Sequence, residues 1–222
     1  VLGDLDEALQ NLTNLKDLRR GLVRVAAPEP LSCTVMPDLI ALYNENHPGV
    51  DVRFDDVPIE QVLASLQTKS GDIGFGTSGV TVDETVESHV LWAEPLALAI
   101  RADAPLAGGE SISWKDVRDR PLFNYMANLA TNVLSHVPVR HHPKTVVRVN
   151  RVNTAFAMLK IRKGVVICPQ MAEALAHGFG LRLLPLKQSA VNWNIALFAR
   201  RQETQWHAVQ SFVDFTLDFS EP

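Results

Sequence analysis

The chain has 222 residues, of which 46% are hydrophobic and 21% charged, with a formal net charge of −4. That is enough chain to bury a core without disulfides or metals, as one large domain or two smaller lobes. The composition excludes disordered, collagen-like and purely coiled-coil chains, and no apolar run reaches the ~18–20 residues needed to span a bilayer. With no basic-plus-apolar signal segment at its start, a cytoplasmic protein or a fragment of one is expected.

The charge is unevenly placed. Residues 1–105 carry 7 Lys/Arg against 17 Asp/Glu, residues 106–222 carry 14 against 8, and no acidic residue lies between Pro121 and Ala172. Such a division fits lobes that solvate themselves differently, association of unlike faces, or a cationic lobe that helps hold an anion.

In chain order, Leu2, Leu5, Leu9, Leu12, Leu15 and Leu18 recur at helical spacing and stop at Arg20-Gly21, which predicts a leucine-striped helix over 1–20. It opens without a cap, as though cut from something longer. Short strands and helices then alternate. Strands are expected at Gly21–Ala27, Val50–Val57, Asp72–Gly76, Val90–Trp92 and Leu96–Ile100, with helices over Ser32–Asn46 and Pro58–Lys69. A second set has the same grammar, with strands at Leu122–Tyr125, Thr145–Val149, Gly164–Cys168, Leu181–Leu184 and Asn192–Ala199. Its helices fall over Ser113–Asp119, Val152–Arg162, Gln170–His177 and Glu203–Phe219.

The fold class expected is α/β, as two Rossmann-like lobes, each with a mixed, largely parallel sheet. Leu96–Ile100 and Asn192–Ala199 read as the two crossover strands. The first lobe is then 21–101 plus 193–222 and the second 102–192, with the acidic excess in the first and the basic excess in the second. Ligands of such lobes lie outside the carboxyl ends of the strands, which places them in the cleft.

Catalytic apparatus is absent from the pattern, so no enzyme is expected. There is no Gly-x-Ser-x-Gly elbow, phosphate loop or dinucleotide fingerprint. His141-His142 has no Cys, Asp or Glu near it in sequence, and Asp55-Asp56 face opposite ways on a strand. Cys33 and Cys168 make neither a disulfide framework nor zinc spacing; Cys168 reads as core, and Cys33, at an expected helix start, as either packing or a redox site. No metal or cofactor is expected.

Binding features are better supported. The turn Pro28-Glu29-Pro30-Leu31-Ser32 leads into a helix start, either an anion-receptive spot or a plain cap. Gly76-Thr77-Ser78-Gly79, Asn124–Asn128 and Asn150-Arg151-Val152-Asn153-Thr154 follow other strands and should reach the same cleft edge. Polar groups and one arginine between apolar walls suit a small polar or carboxylated ligand.

Taken together, Leu18-Arg19-Arg20-Gly21-Leu22-Val23-Arg24-Val25, Val35-Met36-Pro37-Asp38-Leu39-Ile40-Ala41-Leu42-Tyr43, His47-Pro48-Gly49-Val50 and Asp72-Ile73-Gly74-Phe75 form a familiar pattern. So do Ala104-Pro105-Leu106 and Gly164-Val165-Val166-Ile167-Cys168-Pro169. The chain strongly resembles the effector-binding domain of LysR-type transcriptional regulators, preceded by the end of their linker helix. The resemblance implies a two-lobed fold like type II periplasmic binding proteins, with a small-molecule effector in the inter-lobe cleft. It also implies a DNA-binding winged helix-turn-helix, absent here, which would contact promoter DNA, and homo-oligomers, commonly tetramers.

The family's effector contacts fall on Pro30, Leu31, Ser32, Cys33, Val57, Pro58, Gly76, Thr77, Ser78, Asn124, Tyr125, Met126, Val152, Asn153 and Thr154. Its dimer pairing through the first lobe falls on Val35–Leu42 and Ile59–Leu66. The chain departs from the family at Ile161-Arg162-Lys163-Gly164, where Ala-Gly-Leu-Gly is usual, and in the stiffness of Pro28-Glu29-Pro30. The acid-free stretch, with Arg151 in a cleft loop, favours an anionic effector. The alternative is a solute-binding protein of a transporter, which the leading helix does not favour.

Overall fold

Where apolar strands are followed by amphipathic helices, each strand can be buried on both faces, and the sequence does this twice. The computed structural model describes residues 21–187, 191–201 and 207–220, the side chain of residue 127 excepted. The leucine-striped helix expected over 1–20 lies outside the described residues. Two compact units result, one of residues up to Trp92 together with Ile195 onward, the other Ala93–Asn194. By composition the described and undescribed residues from 21 onward give the first unit a net charge of −10 and the second +7.

The first unit is built on β1 (Gly21–Ala27), β2 (Val50–Asp56), β3 (Ile73–Thr77), β4 (Val86–Glu94) and β10 (Trp193–Arg200), in the order β2-β1-β3-β10-β4. β1 is parallel to β2 along its whole length, from Gly21 opposite Val50 to Ala27 opposite Asp56, and parallel to β3; β10 runs antiparallel to β3. Central β1 buries Val23, Val25, Ala26 and Ala27, whereas edge strand β2 alternates. Helix α1 (Glu29–Ser32) is a single turn after β1, followed by α2 (Val35–Asn46), α3 (Ile59–Gln67) and the closing α8 (His207–Ser220).

Aromatic packing ties α2 to α8. The buried Tyr43 ring stacks on His47 at 4.3 Å and meets Phe212 and Phe215 edge-on at 4.7 and 5.4 Å. Its hydroxyl donates to the Ala208 carbonyl at 3.3 Å, so the ring's polar end is satisfied inside the core. Gly74 lets α3 lie close on β3, since a Cβ there would stand 2.6 Å from Val62 Cγ1.

A charged clamp closes one end of this sheet. Asp72, 3% exposed, accepts hydrogen bonds from the Arg24 amide (3.0 Å), Arg24 Nε (3.0 Å) and Nη2 (2.9 Å), and Arg200 Nη2 (2.8 Å). Its own amide donates to the Arg24 carbonyl, and the Arg200 amide donates to its carbonyl. Burial pushes the carboxyl pKa up, but these bonds more than offset it and hold it below the usual range.

The second unit holds β5 (Leu96–Arg101), β6 (Leu122–Asn124), β7 (Val146–Arg148), β8 (Val165–Pro169) and β9 (Leu181–Pro185), in the order β7-β6-β8-β5-β9. β6 is parallel to β7 and β8, and β5 is antiparallel to β8 and β9. All of β8 and the first five residues of β5 are buried. Four helices join these strands: α4 (Trp114–Val117), α5 (Ala127–Ser135), α6 (Val152–Ile161) and α7 (Glu173–Gly178). Ser113 and Asp116 form a full capping box at the start of α4.

The structure corrects three expectations. Leu96–Ile100 does not belong to the first unit: β5 lies wholly in the second sheet, and the chain leaves the first unit within β4, after Trp92. The unit limits therefore fall after Trp92 and Asn194 rather than after 101 and 192. An apolar run reads the same in either sheet, and only pairing decides between them. The helix expected from Ser32 is two helices, α1 and α2, because Pro30 starts a turn earlier than the cap pattern suggests. Residues 127–135, assigned no element from sequence, form α5.

Candidate functional site

In a parallel sheet every strand delivers its carboxyl end to the same edge, so the expected contact residues can be located unit by unit. In the first unit β1, β2 and β3 end at Ala27, Asp56 and Thr77. Pro30, Leu31, Ser32 and Cys33 follow the first, Val57 and Pro58 the second, and Gly76, Thr77 and Ser78 end or follow the third. The first two groups meet directly: the Val57 amide donates to the Ala27 carbonyl at 3.1 Å, and Ser32 Oγ lies 3.5 Å from Asp56 Oδ1.

The anion-receptive helix start expected at Ser32 is not what forms. Ser32 closes α1 instead of opening a helix, and its hydroxyl donates to the Ala27 and Pro28 carbonyls at 3.2 and 3.1 Å. Thr34 Oγ1 likewise donates to the Pro30 carbonyl at 2.6 Å. Pro30 and Leu31 are buried, so they shape this edge from beneath. Cys33 is the exposed C-cap of α1 and directly precedes Thr34, the N-cap of α2. The side chains that give this edge its charge are Glu29, which is buried, and Asp56, an acid pair member read from sequence only as a poor catalyst.

The second unit has the opposite character. β6 ends at Asn124, whose Oδ1 accepts from the Met126 amide at 3.0 Å, turning the chain into α5. β7 pairs Arg148 with Asn124, and the Val149 amide donates to the Asn124 carbonyl at 3.0 Å. The two loops are thus neighbours, and the amino ends of α5 and α6 come to one edge. Met126 and Arg151 occupy the cap positions of these helices, and neither contributes a side-chain cap hydrogen bond. Asn124, Tyr125 and Met126 are buried, as is Val152, while Asn153 is partly exposed and Thr154 exposed. The sum is two sets of helix amides and one guanidinium at a single edge, a setting that favours negative charge.

Among the described residues, no group of three or more His, Cys, Asp and Glu side chains gathers to hold a metal. His142 Nε2 is engaged by the Leu134 and Val137 carbonyls at 2.9 and 2.8 Å. Cys168 is fully buried, and burial drives its thiol pKa far up. Among the described residues no helix is long and apolar enough to cross a membrane.

The family model of the LysR substrate binding domain matches residues 16–220. An uncharacterized HTH-type transcriptional regulator of Escherichia coli K12, YbhD, is 21% identical over 215 residues, which cover 96% of this chain and 68% of that protein. Among solved structures, the effector-binding domain of QuiR in complex with shikimate superposes with a TM-score of 0.78 at 16% identity, covering 90% of this chain and 97% of that one. The BenM effector-binding domain with its effector benzoate gives 0.74 at 20% identity, covering 90% and 91%. These relatives are transcriptional regulators and effector-binding domains, so the solute-binding alternative is not favoured. With two mixed α/β sheets, a family match over almost its whole length and these neighbours, the chain belongs to the LysR family and is the effector-binding domain of a LysR-type transcriptional regulator.

Proposed function

We propose that this domain senses a small carboxylated molecule through the loops at the carboxyl edges of its parallel strands, with the carboxylate held by the second unit. The carrying observation is the convergence of the α5 and α6 amino ends and Arg151 at the edge formed by β6 and β7. Asp56 and Glu29 give the first unit's edge the opposite sign, which suits hydroxyl or amine groups better than a carboxylate. The carboxylate ligands named for the QuiR and BenM domains support the same chemistry.

The remaining reading follows the family. Pro30, Leu31, Ser32, Cys33, Val57, Pro58, Gly76, Thr77, Ser78, Asn124, Tyr125, Met126, Val152, Asn153 and Thr154 contribute walls and contacts, without catalysis. Ligand binding shifts the populations of regulator conformers in the cytoplasm and so changes how a helix-turn-helix part meets promoter DNA. Homodimers form through α2 and α3 of the first unit, and tetramers in the full regulator. Leu42, 42% exposed on α2, supports that pairing face.

Titration calorimetry with benzoate and shikimate, alongside benzamide, tests the ligand class. Carboxylates should bind, and Arg151→Ala should weaken them about tenfold, the worth of one charge-assisted hydrogen bond. Benzamide binding as tightly as benzoate, or an Arg151→Ala protein with unchanged affinity, would refute the assignment.

A further inference from the structure

The edge of the second unit opposite its helix amino ends carries a hollow of about 400 Å³, within the size range of small-molecule sites. Its lining comes from the end of β5 and the turn after it (Arg101, Asp103, Pro105), from Arg120 just before β6, and from Ile161 and Lys163 between α6 and β8. Three local features bring these segments together. Arg101 Nη1 donates to the Lys160 carbonyl at 2.9 Å, which joins β5 to the carboxyl end of α6. The Val165 amide donates to the Pro121 carbonyl at 2.9 Å. Gly164 has no room for a side chain: a Cβ there would stand 2.8 Å from the Pro121 carbonyl oxygen and 2.6 Å from the Phe123 ring. That close approach sets Lys163 beside Arg120.

The charges in the hollow do not cancel. Asp103 is committed to Arg101, which donates to it through Nε at 2.8 Å and again through Nη2. Arg101 also caps one carbonyl at the end of α6, that of Lys160. Arg120 and Lys163 remain; among the described residues neither forms an ion pair. Lys163 is close enough to Asp103 to help hold its carboxyl below the usual range, after the larger effect of Arg101. Beside these cations Ile161 is 81% exposed and faces the hollow with Pro105, an apolar wall that ordinary solvation of a helix end does not call for.

We propose that this hollow is a second ligand site, which takes a small phosphate monoester. Its dianionic head lies between Arg120 and Lys163, and its apolar portion lies against Ile161 and Pro105. Two cations that form no ion pair match a dianion better than the single negative charge of a carboxylate. The site shares no lining residue with the carboxyl-edge loops, so it stands or falls independently of the effector reading.

Titration calorimetry of the 222-residue chain with phenyl phosphate tests it, with inorganic phosphate in parallel. Phenyl phosphate should give a saturable heat, which Lys163→Ala and Arg120→Ala each weaken about tenfold and Lys163→Arg restores. Both side chains reach solvent, so the variants should keep the circular dichroism and melting temperature of the parent. Inorganic phosphate should bind more weakly; equal binding would overturn the apolar half of the assignment. The proposal fails if no saturable heat is seen, or if the folded Lys163→Ala and Arg120→Ala proteins bind as the parent does. It also fails if Arg151→Ala, rather than Lys163→Ala, abolishes the heat, because the ligand would then sit at the carboxyl edge.

Discussion

Replacing Asp72 removes the single carboxylate that holds two arginines at the end of the first sheet. In Asp72→Ala, Arg200, 16% exposed, is left as a nearly buried cation, while Arg24, 37% exposed, can turn to water. Breaking one partner of a buried ion pair costs about 3–5 kcal/mol, and the exposure of Arg24 brings the expectation to the lower end, about 3 kcal/mol. For a chain of this length that lowers the melting temperature by about 6–12 °C. Asp72→Asn keeps one carbonyl acceptor and should lose about half as much.

The pH dependence has a definite sign. A carboxyl whose folded pKa is depressed contributes stability that is present above its unfolded pKa and is lost as pH falls through the folded value. The gap in melting temperature between the parent and Asp72→Asn should therefore be constant near neutrality and narrow below about pH 4. Thermal denaturation followed by far-ultraviolet circular dichroism from pH 7 to 3 reads both effects. A neutral-pH melting temperature for Asp72→Ala within about 1 °C of the parent would refute the clamp, since that corresponds to less than about 0.5 kcal/mol. So would a gap that stays constant down to pH 3.

Two other expectations are simpler to check. Leu42→Asp places a charge on the exposed apolar face of α2 and should convert a dimer to monomers at tens of micromolar in sedimentation velocity; a sedimentation coefficient matching the parent's would exclude that face from the interface. A thiol reagent should modify exposed Cys33 in the native protein and reach Cys168 only on unfolding, because burial keeps the Cys168 thiol protonated; rapid loss of both thiols would show that the core strand β8 opens readily.

The carboxyl-edge loops were legible because strand-then-helix grammar shows in the spacing of apolar residues, and parallel pairing brings successive strand ends to one edge. The short helix after Ser113 was legible for the same reason, its cap and its partner Asp116 lying within three residues. Ser32 was misplaced for an equally local reason: Pro30 nucleates a turn ahead of it, and the hydroxyl bonds backward instead of outward. Helix α5 was missed because Asn128 and Asn132 weaken its propensity, and Leu129, Ala130 and Val133 become a buried stripe only when packed. Arg120 and Lys163 stand 43 positions apart, and no periodicity connects them.

Sequence by itself determined the family, the α/β class, most strand and helix positions and the division of charge. All of these depend on residue type and on spacing within about a dozen positions, where backbone geometry dictates the period. Tertiary structure alone decided that β5 pairs in the second sheet, that Asp72 clamps Arg24 and Arg200, and that Gly164 draws Lys163 to Arg120. Each is a contact between residues distant in the chain, made by packing and pairing that a one-dimensional pattern does not encode.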